Sequence, residues 1–142
     1  MVSANFAGDY EPQGAIIING KKTGSAITKG DVCNLSSGSW QTAPTSGNGP
    51  FAVCIRSAAA SDAKVSLIIK GIVYVVADGV IVPFNPVVVS AATAGQVQQT
   101  ATPVAANCVG KYLRHENEGD LTTVETNAAD ADVIAIELGG PF

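Results

Sequence analysis

The sequence predicts an all-β protein: a compact β-barrel or sandwich of two similar β units with an extended N-terminal arm. Three observations carry this expectation. The apolar runs are short, rich in Val and Ile, and punctuated by Gly, Pro, Asn-Gly or Asp-Gly. No segment of ordinary helix length shows an amphipathic period of 3.6 residues. The second half of the chain also repeats the order of strand-like pieces found in the first.

The elements follow in order. The start, MVSANFAGDYEPQG, has neither a basic stretch nor an apolar core of leader length, so synthesis in the cytoplasm is expected. Residues 1–13 read as an arm able to add a strand to a neighbouring sheet edge, with Phe6 and Tyr10 as anchors and Pro12 limiting its freedom. Residues 14–142 read as a single β domain. GAIIING predicts a strand ending in a turn at Asn19-Gly20. GSAITKGDVCNLSSGSWQTA predicts a short strand, a turn at Lys29-Gly30-Asp31, a strand to Leu35, a Ser-Ser-Gly turn and a strand carrying Trp40. PTSGNGP is a loop and FAVCIRSA a strand.

The most apolar stretch, KVSLIIKGIVYVVADGVIVPF, spans residues 64–84. A membrane-spanning helix needs roughly 20 mostly apolar residues without interruption. Here Lys70-Gly71, Asp78-Gly79 and Pro83 divide the run, which predicts strands turning at Lys70-Gly71 and again, as a type I′ hairpin, at Asp78-Gly79. Its apolar character on both faces predicts burial on both, with Val73 and Val75 facing a neighbouring subunit. After Pro86, VVVSAATAGQVQQTATPVAANCVGKYL repeats the strand, turn, strand, loop, strand rhythm. The longest polar segment is 114–132, and SAAASDA and NAADADV are each long enough for one turn of helix.

Laid side by side, the halves give pseudo-repeats at about 29–84 and 85–142. Cys54 matches Cys108, Asp62 matches Asp130, Val65 matches Val133, Ile68 matches Ile136 and Gly71 matches Gly139. The second half carries 14 extra residues, mostly in HENEGDLTTVETN, which predicts an exposed hairpin or loop there.

The composition narrows the function classes. Hydrophobic residues make up 46 % of the chain and charged residues 14 %, against about 25 % charged in an average domain. A folded body with so few charges is expected to have surface covered by another chain. The net charge is −4 and the eight Lys and Arg are scattered, so nucleic-acid binding is not expected. Cys33, Cys54 and Cys108 are odd in number and lack CxxC spacing, so they read as reduced, buried thiols.

Catalytic chemistry lacks a constellation. The single histidine, His115, lies in the polar segment, and no nucleophile-elbow, zinc-protease, phosphate-loop or dinucleotide motif occurs. Asp31, Asp62, Asp78 and Asp120 sit at predicted turns, where Asp is at home for local hydrogen-bonding reasons. Glu116, Glu118 and Asp120, like Asp130 and Asp132, alternate as if on one face, but the EF-hand pattern is absent. No enzyme, cofactor or metal is expected; Glu116 and Asp130 would be the first residues to test in a hydrolase. The aromatic residues are isolated, which disfavours a glycan-stacking face, and Trp40 reads as a core or subunit-contact residue.

With these parts assembled, ITKGDVCNLSSGSWQTA, GPFAVCIRSAAASDAKVSLIIKGIVYVVADGVIVPFNPVVVSAATAGQV resembles the small head decoration, or capsid cement, proteins of tailed bacteriophages. The carrying residues are Lys29-Gly30-Asp31-Val32, Ala52 to Ile55, Ala58 to Asp62, Val65 to Gly71, Val73 to Gly79, Val82 to Val87 and Gly95-Gln96-Val97. Asn85-Pro86 departs from the glycine usual in that family. The resemblance implies a non-enzymatic virion protein on the outer capsid surface, assembled in the host cytoplasm. Its partners would be the major capsid protein and its own copies, with a trimer favoured and no membrane. Phe6, Tyr10, Pro12, Trp40, Val73, Val75 and Phe142 are the candidate contact residues. The alternative is a receptor- or glycan-binding β domain of a fibre.

Overall fold

A computed structural model of the chain describes residues 6–102, 104, 106–115 and 128–138. Among these there is no helix, and one curled antiparallel sheet forms a half-barrel. Its strands are β1 (Ile16–Lys21), β2 (Val32–Ser36), β3 (Ser39–Thr42), β4 (Phe51–Arg56), β5 (Lys64–Val76), β6 (Pro86–Val89), β7 (Val97–Gln99), β8 (Cys108–His115) and β9 (Val133–Leu138). They run in the order β3-β2-β4-β5-β9-β8-β6-β7, with β1 paired to β5 off this path.

The predicted turn at Lys70-Gly71 does not exist. β5 continues through it and changes partners there. Residues 64–70 pair with β1 and β4, whereas 71–76 pair with β9. Gly71 has φ of 120°, a conformation that L side chains rarely adopt, and a Cβ there would lie 3.1 Å from Ala15 Cα. The glycine marks a change of strand partners rather than a reversal of the chain. The turn expected at Asn19-Gly20 is likewise absent, because β1 runs through to Lys21. The chain does bend at Asp78-Gly79, but no hairpin forms. The residues on either side bridge elsewhere, Ala77 to Val97 and Ile81 to Ala128. The short strand expected near Ile27 reduces to one bridge with Ala58. SAAASDA, and NAADADV over its described residues 128–133, each hold a turn and no helix.

The strand order reads as one pattern from both ends, and the pairing shows why. One unit uses β1, β2, β3, β4 and the first half of β5. The other uses the second half of β5, then β6, β7, β8 and β9. Ile27 and Ala58 exchange two backbone hydrogen bonds of 2.9 Å; Ile81 and Ala128 exchange two of 3.1 and 2.9 Å. The parallel bridge Lys22–Trp40 has its counterpart in Ala77–Val97. Both units carry a register irregularity at an equivalent position, between Cys54 and Arg56 and between Tyr112 and Arg114.

This geometry corrects the alignment read from sequence. Cys54 accepts the Gly30 N–H and donates to the Asp31 carbonyl, and Tyr112 does the same for Phe84 and Asn85. Cys54 therefore corresponds to Tyr112, not Cys108. Asp62 accepts the Ala59 N–H as Asp132 accepts that of Ala129, so Asp62 corresponds to Asp132, not Asp130. The units meet at Gly71 rather than at residue 84. The match proposed for Gly139 lies outside the described residues.

The apolar side chains form two clusters. One gathers Ile27, Cys33, Trp40, Ala52, Cys54, Val65 and Leu67 inside the first unit. The larger one joins Val32, Val53 and Ile68 of that unit to Val73, Val75, Ile81, Tyr112, Ile134 and Ile136 of the other. Neighbouring residues such as Cys54 and Val53, or Leu67 and Ile68, thus enter different clusters. Period-2 alternation sends them to opposite faces, and both faces are buried within one chain. That arrangement explains the two-sided apolar character of residues 64–76 without a second subunit.

Candidate interaction surface

The candidate contact residues separate into three groups. Val73 and Val75 are wholly buried in the larger cluster, which overturns their assignment to a subunit contact. Trp40 is a core residue, 8 % exposed, lying against Gly20. Phe6 is 71 % exposed, Pro12 is exposed and Tyr10 is half-buried. Phe142 lies outside the described residues.

The arm is also shorter than expected. Residues 8–11 add a strand to their own chain, along the edge of β5 opposite β9. Gly8 N–H donates to the Tyr74 carbonyl at 2.8 Å, Tyr74 N–H to Asp9 at 2.9 Å, and Glu11 N–H to Ile72 at 2.9 Å. Asp9 binds Lys29 at 2.7 Å, linking this segment to the first unit. That hydrogen bond is the main reason the Asp9 carboxyl lies below its ordinary value. The pair is solvent-exposed and adds little to stability.

Of the aspartates that sequence placed at turns, Asp31, Asp62 and Asp78 accept local or cross-loop hydrogen bonds, and Asp120 lies outside the described residues; Asp9, Asp130 and Asp132 are engaged in the same way. Asp9, Asp31, Asp62 and Asp132 each accept the backbone N–H three residues earlier, from Phe6, Thr28, Ala59 and Ala129. Asp78 receives the Ser90 hydroxyl, and Asp130 receives the Gly79 N–H at 3.0 Å. Among the described residues no cluster of His, Cys, Asp and Glu could hold a metal ion. Glu116, Glu118 and Asp120 lie outside the described residues. The three cysteines are free and buried, and desolvation pushes each thiol above its ordinary pKa, away from the reactive thiolate.

Asp31 lies where the two units meet. Its carboxylate accepts from the Thr42 hydroxyl at 3.1 Å and from Thr28 N–H at 3.2 Å, while Val32 N–H reaches across to Gly95 of the second unit. Burial raises its pKa, with the two hydrogen bonds acting in the opposite sense. A carboxyl whose folded pKa is raised costs stability as pH climbs from the ordinary carboxylate value, about 3.9, through the folded value. Asp31→Asn should therefore gain on the wild type across that window. Urea melts from pH 3.5 to 7 read the difference, and a constant gap between the two proteins would contradict it.

The large apolar side chains left exposed are Phe6, Ile16, Ile17, Leu35, Val80, Val82, Phe84 and Val104. Of these, only Phe6 was singled out from sequence. The others sit where alternation gives little guidance: Ile16 and Ile17 on β1, which pairs on one side with β5, Leu35 near the end of β2, Val80, Val82 and Phe84 in the irregular 80–84 segment, and Val104 outside any strand. Among the described aromatic rings, Phe6 and Phe84 are the exposed ones. Comparison with models of known protein families finds no match, and no curated protein matches the sequence.

Proposed function

We propose that this chain is a structural protein of a tailed-phage virion that binds the outer surface of the head as a homo-oligomer, with a trimer favoured. The observation that carries the proposal is the combination of a doubly buried β body with exposed apolar side chains at Ile16, Ile17, Val80, Val82 and Phe84. Contact of this kind is spread over a surface and gains strength by repetition on a symmetric lattice. The resemblance in Lys29-Gly30-Asp31-Val32 and through residues 52–97 supports the same reading. The low share of charged residues is consistent with surface that a partner covers.

The test is co-sedimentation with expanded heads of the phage that encodes the chain, together with native mass. The protein should pellet with heads, and its mass should be a multiple of the 14.4 kDa chain. Val82→Ser combined with Phe84→Ser should abolish pelleting while leaving the melting transition in place. A monomer that stays in the supernatant would overturn the proposal. Binding to a glycan in the absence of heads would favour the fibre-domain reading instead.

A further inference from the structure

The two halves of the chain carry opposite charge. Residues 14–70 hold six Lys and Arg against two acidic residues, a net +4, and residues 71–142 hold two against eight, a net −6. β5 runs through both halves over 13 residues, at most roughly 40 Å at the rise of a strand. It starts at Lys64, among cations, and its last residue, Val76, leads into a group of carboxylates.

At the first end, Lys21 and Lys64 stand directly opposite each other in the β1–β5 pairing. Asn19 and Arg56 both stand opposite Ser66. Ser66 and Lys64 share a face by alternation, so Lys21, Lys64 and Arg56, all exposed, lie on one face of β1, β5 and β4. Among the described residues no ion pair joins any of the three to a carboxylate. Lys22 adds a buried charge beneath them. Its Nζ donates to the carbonyls of Thr23 at 2.7 Å, Ser25 at 2.8 Å and Ala60 at 3.4 Å, none of them charged. The loop into β5, residues 57–63, has one carboxylate, Asp62. Like charges directly opposite across two strands cost stability. The fold does not require them. Counted from the matching bridges Lys22–Trp40 and Ala77–Val97, the equivalent pair in the second unit is Val76 and Val133.

At the other end, Ala77 N–H donates to the Asp132 carbonyl and Ala131 N–H to the Ala77 carbonyl, both at 2.8 Å. Residues 77–79 are thereby set against 130–132, with Asp78, Asp130 and Asp132 in one place. Asp130 accepts the Gly79 N–H at 3.0 Å and Asp78 accepts the Ser90 hydroxyl, which fixes these carboxylates without cancelling their charge. The two cations of this half, Lys111 and Arg114, lie on β8. Since Asp62 corresponds to Asp132, Ala60 corresponds to Asp130. The same corner is thus tied by an ammonium in one unit and by a carboxylate in the other.

We infer that copies of this chain associate head to tail, the basic end of one (Lys21, Lys64 and Arg56) docking on the acidic end of the next (Asp78 and Asp130). A second copy is the occupant because each end carries the charge that the other lacks. An acidic partner of another kind would use the basic end and leave the acidic end bare. A carboxylate set between Lys21 and Lys64 also relieves their mutual repulsion. Such an interface joins two different surfaces, so it closes into a ring where the rotation allows, and a ring of three matches the favoured trimer. The inference rests on the homo-oligomer reading proposed above and gives that oligomer its direction.

The test is analytical ultracentrifugation of the full chain in the absence of heads. Raising NaCl from about 0.05 M to about 0.5 M should weaken association about tenfold, since salt screens exposed charges. Two variants isolate the ends: Lys21→Gln with Lys64→Gln, and Asp78→Asn with Asp130→Asn. The asparagines keep an acceptor for Ser90 and Gly79, and both variants should melt close to wild type. Each alone should stay monomeric where the wild type associates. Mixed, they should form a species of two chains and nothing larger, because one intact end remains on each. An oligomer that resists salt and both variants would overturn the inference and leave the homo-oligomer reading standing. Dissociation by both variants with no complex on mixing would overturn it as well. A wild-type monomer at about 0.05 M NaCl would overturn both, and pelleting with heads would then decide the virion reading by itself.

Discussion

Gly20→Val should destabilise the protein by about 3 kcal/mol, near the upper end of ordinary overpacking. A Cβ at Gly20 would lie 2.6 Å from Trp40 Nε1, and the indole is held by the first cluster. Trp40→Val should cost a similar amount, about 3 kcal/mol, by leaving a cavity. Together the two changes should cost far less than their sum. The reason is in the second unit, where Val75 stands in the place of Gly20 and Val97 in that of Trp40. The molecule has solved one packing problem twice, once with a large and an absent side chain and once with two of middle size. A double-mutant cycle by urea melts reads the coupling, roughly 2 kcal/mol for residues in direct contact. Simple additivity would show that the two pairs are not interchangeable.

Val75→Asp should prevent folding rather than release a folded monomer. Val75 is fully buried among apolar neighbours, and an unpaired carboxylate there has no compensating partner. The loss should exceed 4 kcal/mol, in the range reserved for buried charges. Phe84→Asp is the contrast, because Phe84 is 57 % exposed. Its far-UV circular dichroism and melting midpoint should stay close to wild type, while Val75→Asp should show no cooperative transition. A soluble Val75→Asp protein with a normal melt would mean that the residue faces solvent or another chain.

The all-β class was legible because Gly, Pro and Asp-Gly interrupt every Val-rich run. The duplication was legible too, since the order of pieces survives in both halves. Its register was not. The cysteines at 54 and 108 look equivalent by type, but backbone pairing sets Cys54 against Tyr112. Side-chain identity at a core position is free to change when the neighbour changes with it, as Trp40 and Gly20 illustrate. Hydrogen-bonding position is conserved geometry, and a sequence does not display it.

The role of Gly71 was misread for a related reason. A glycine beside a charged residue is the usual mark of a turn, yet here it lets one strand serve both halves of the sheet. Nothing local distinguishes the two uses. Burial on both faces was read correctly from residues 64–76, but the second cover is the other half of the chain. Sequence shows that a face is apolar, not which body lies against it. Of the exposed apolar residues, Phe6 was legible because it precedes the first strand, whereas the exposure of Ile17 depends on the pairing of β1 and that of Phe84 on the turn that carries it.

β5 belongs to both halves, and this has a consequence for how order is lost. Neither half owns a complete set of strands once that strand is withdrawn. The first cluster needs Val65 and Leu67 from it, and the larger one needs Ile68, Val73 and Val75. The halves are therefore not separable folding units, despite their shared plan. The chain's one tryptophan sits in the first half, but its fluorescence reports the melting of the whole molecule.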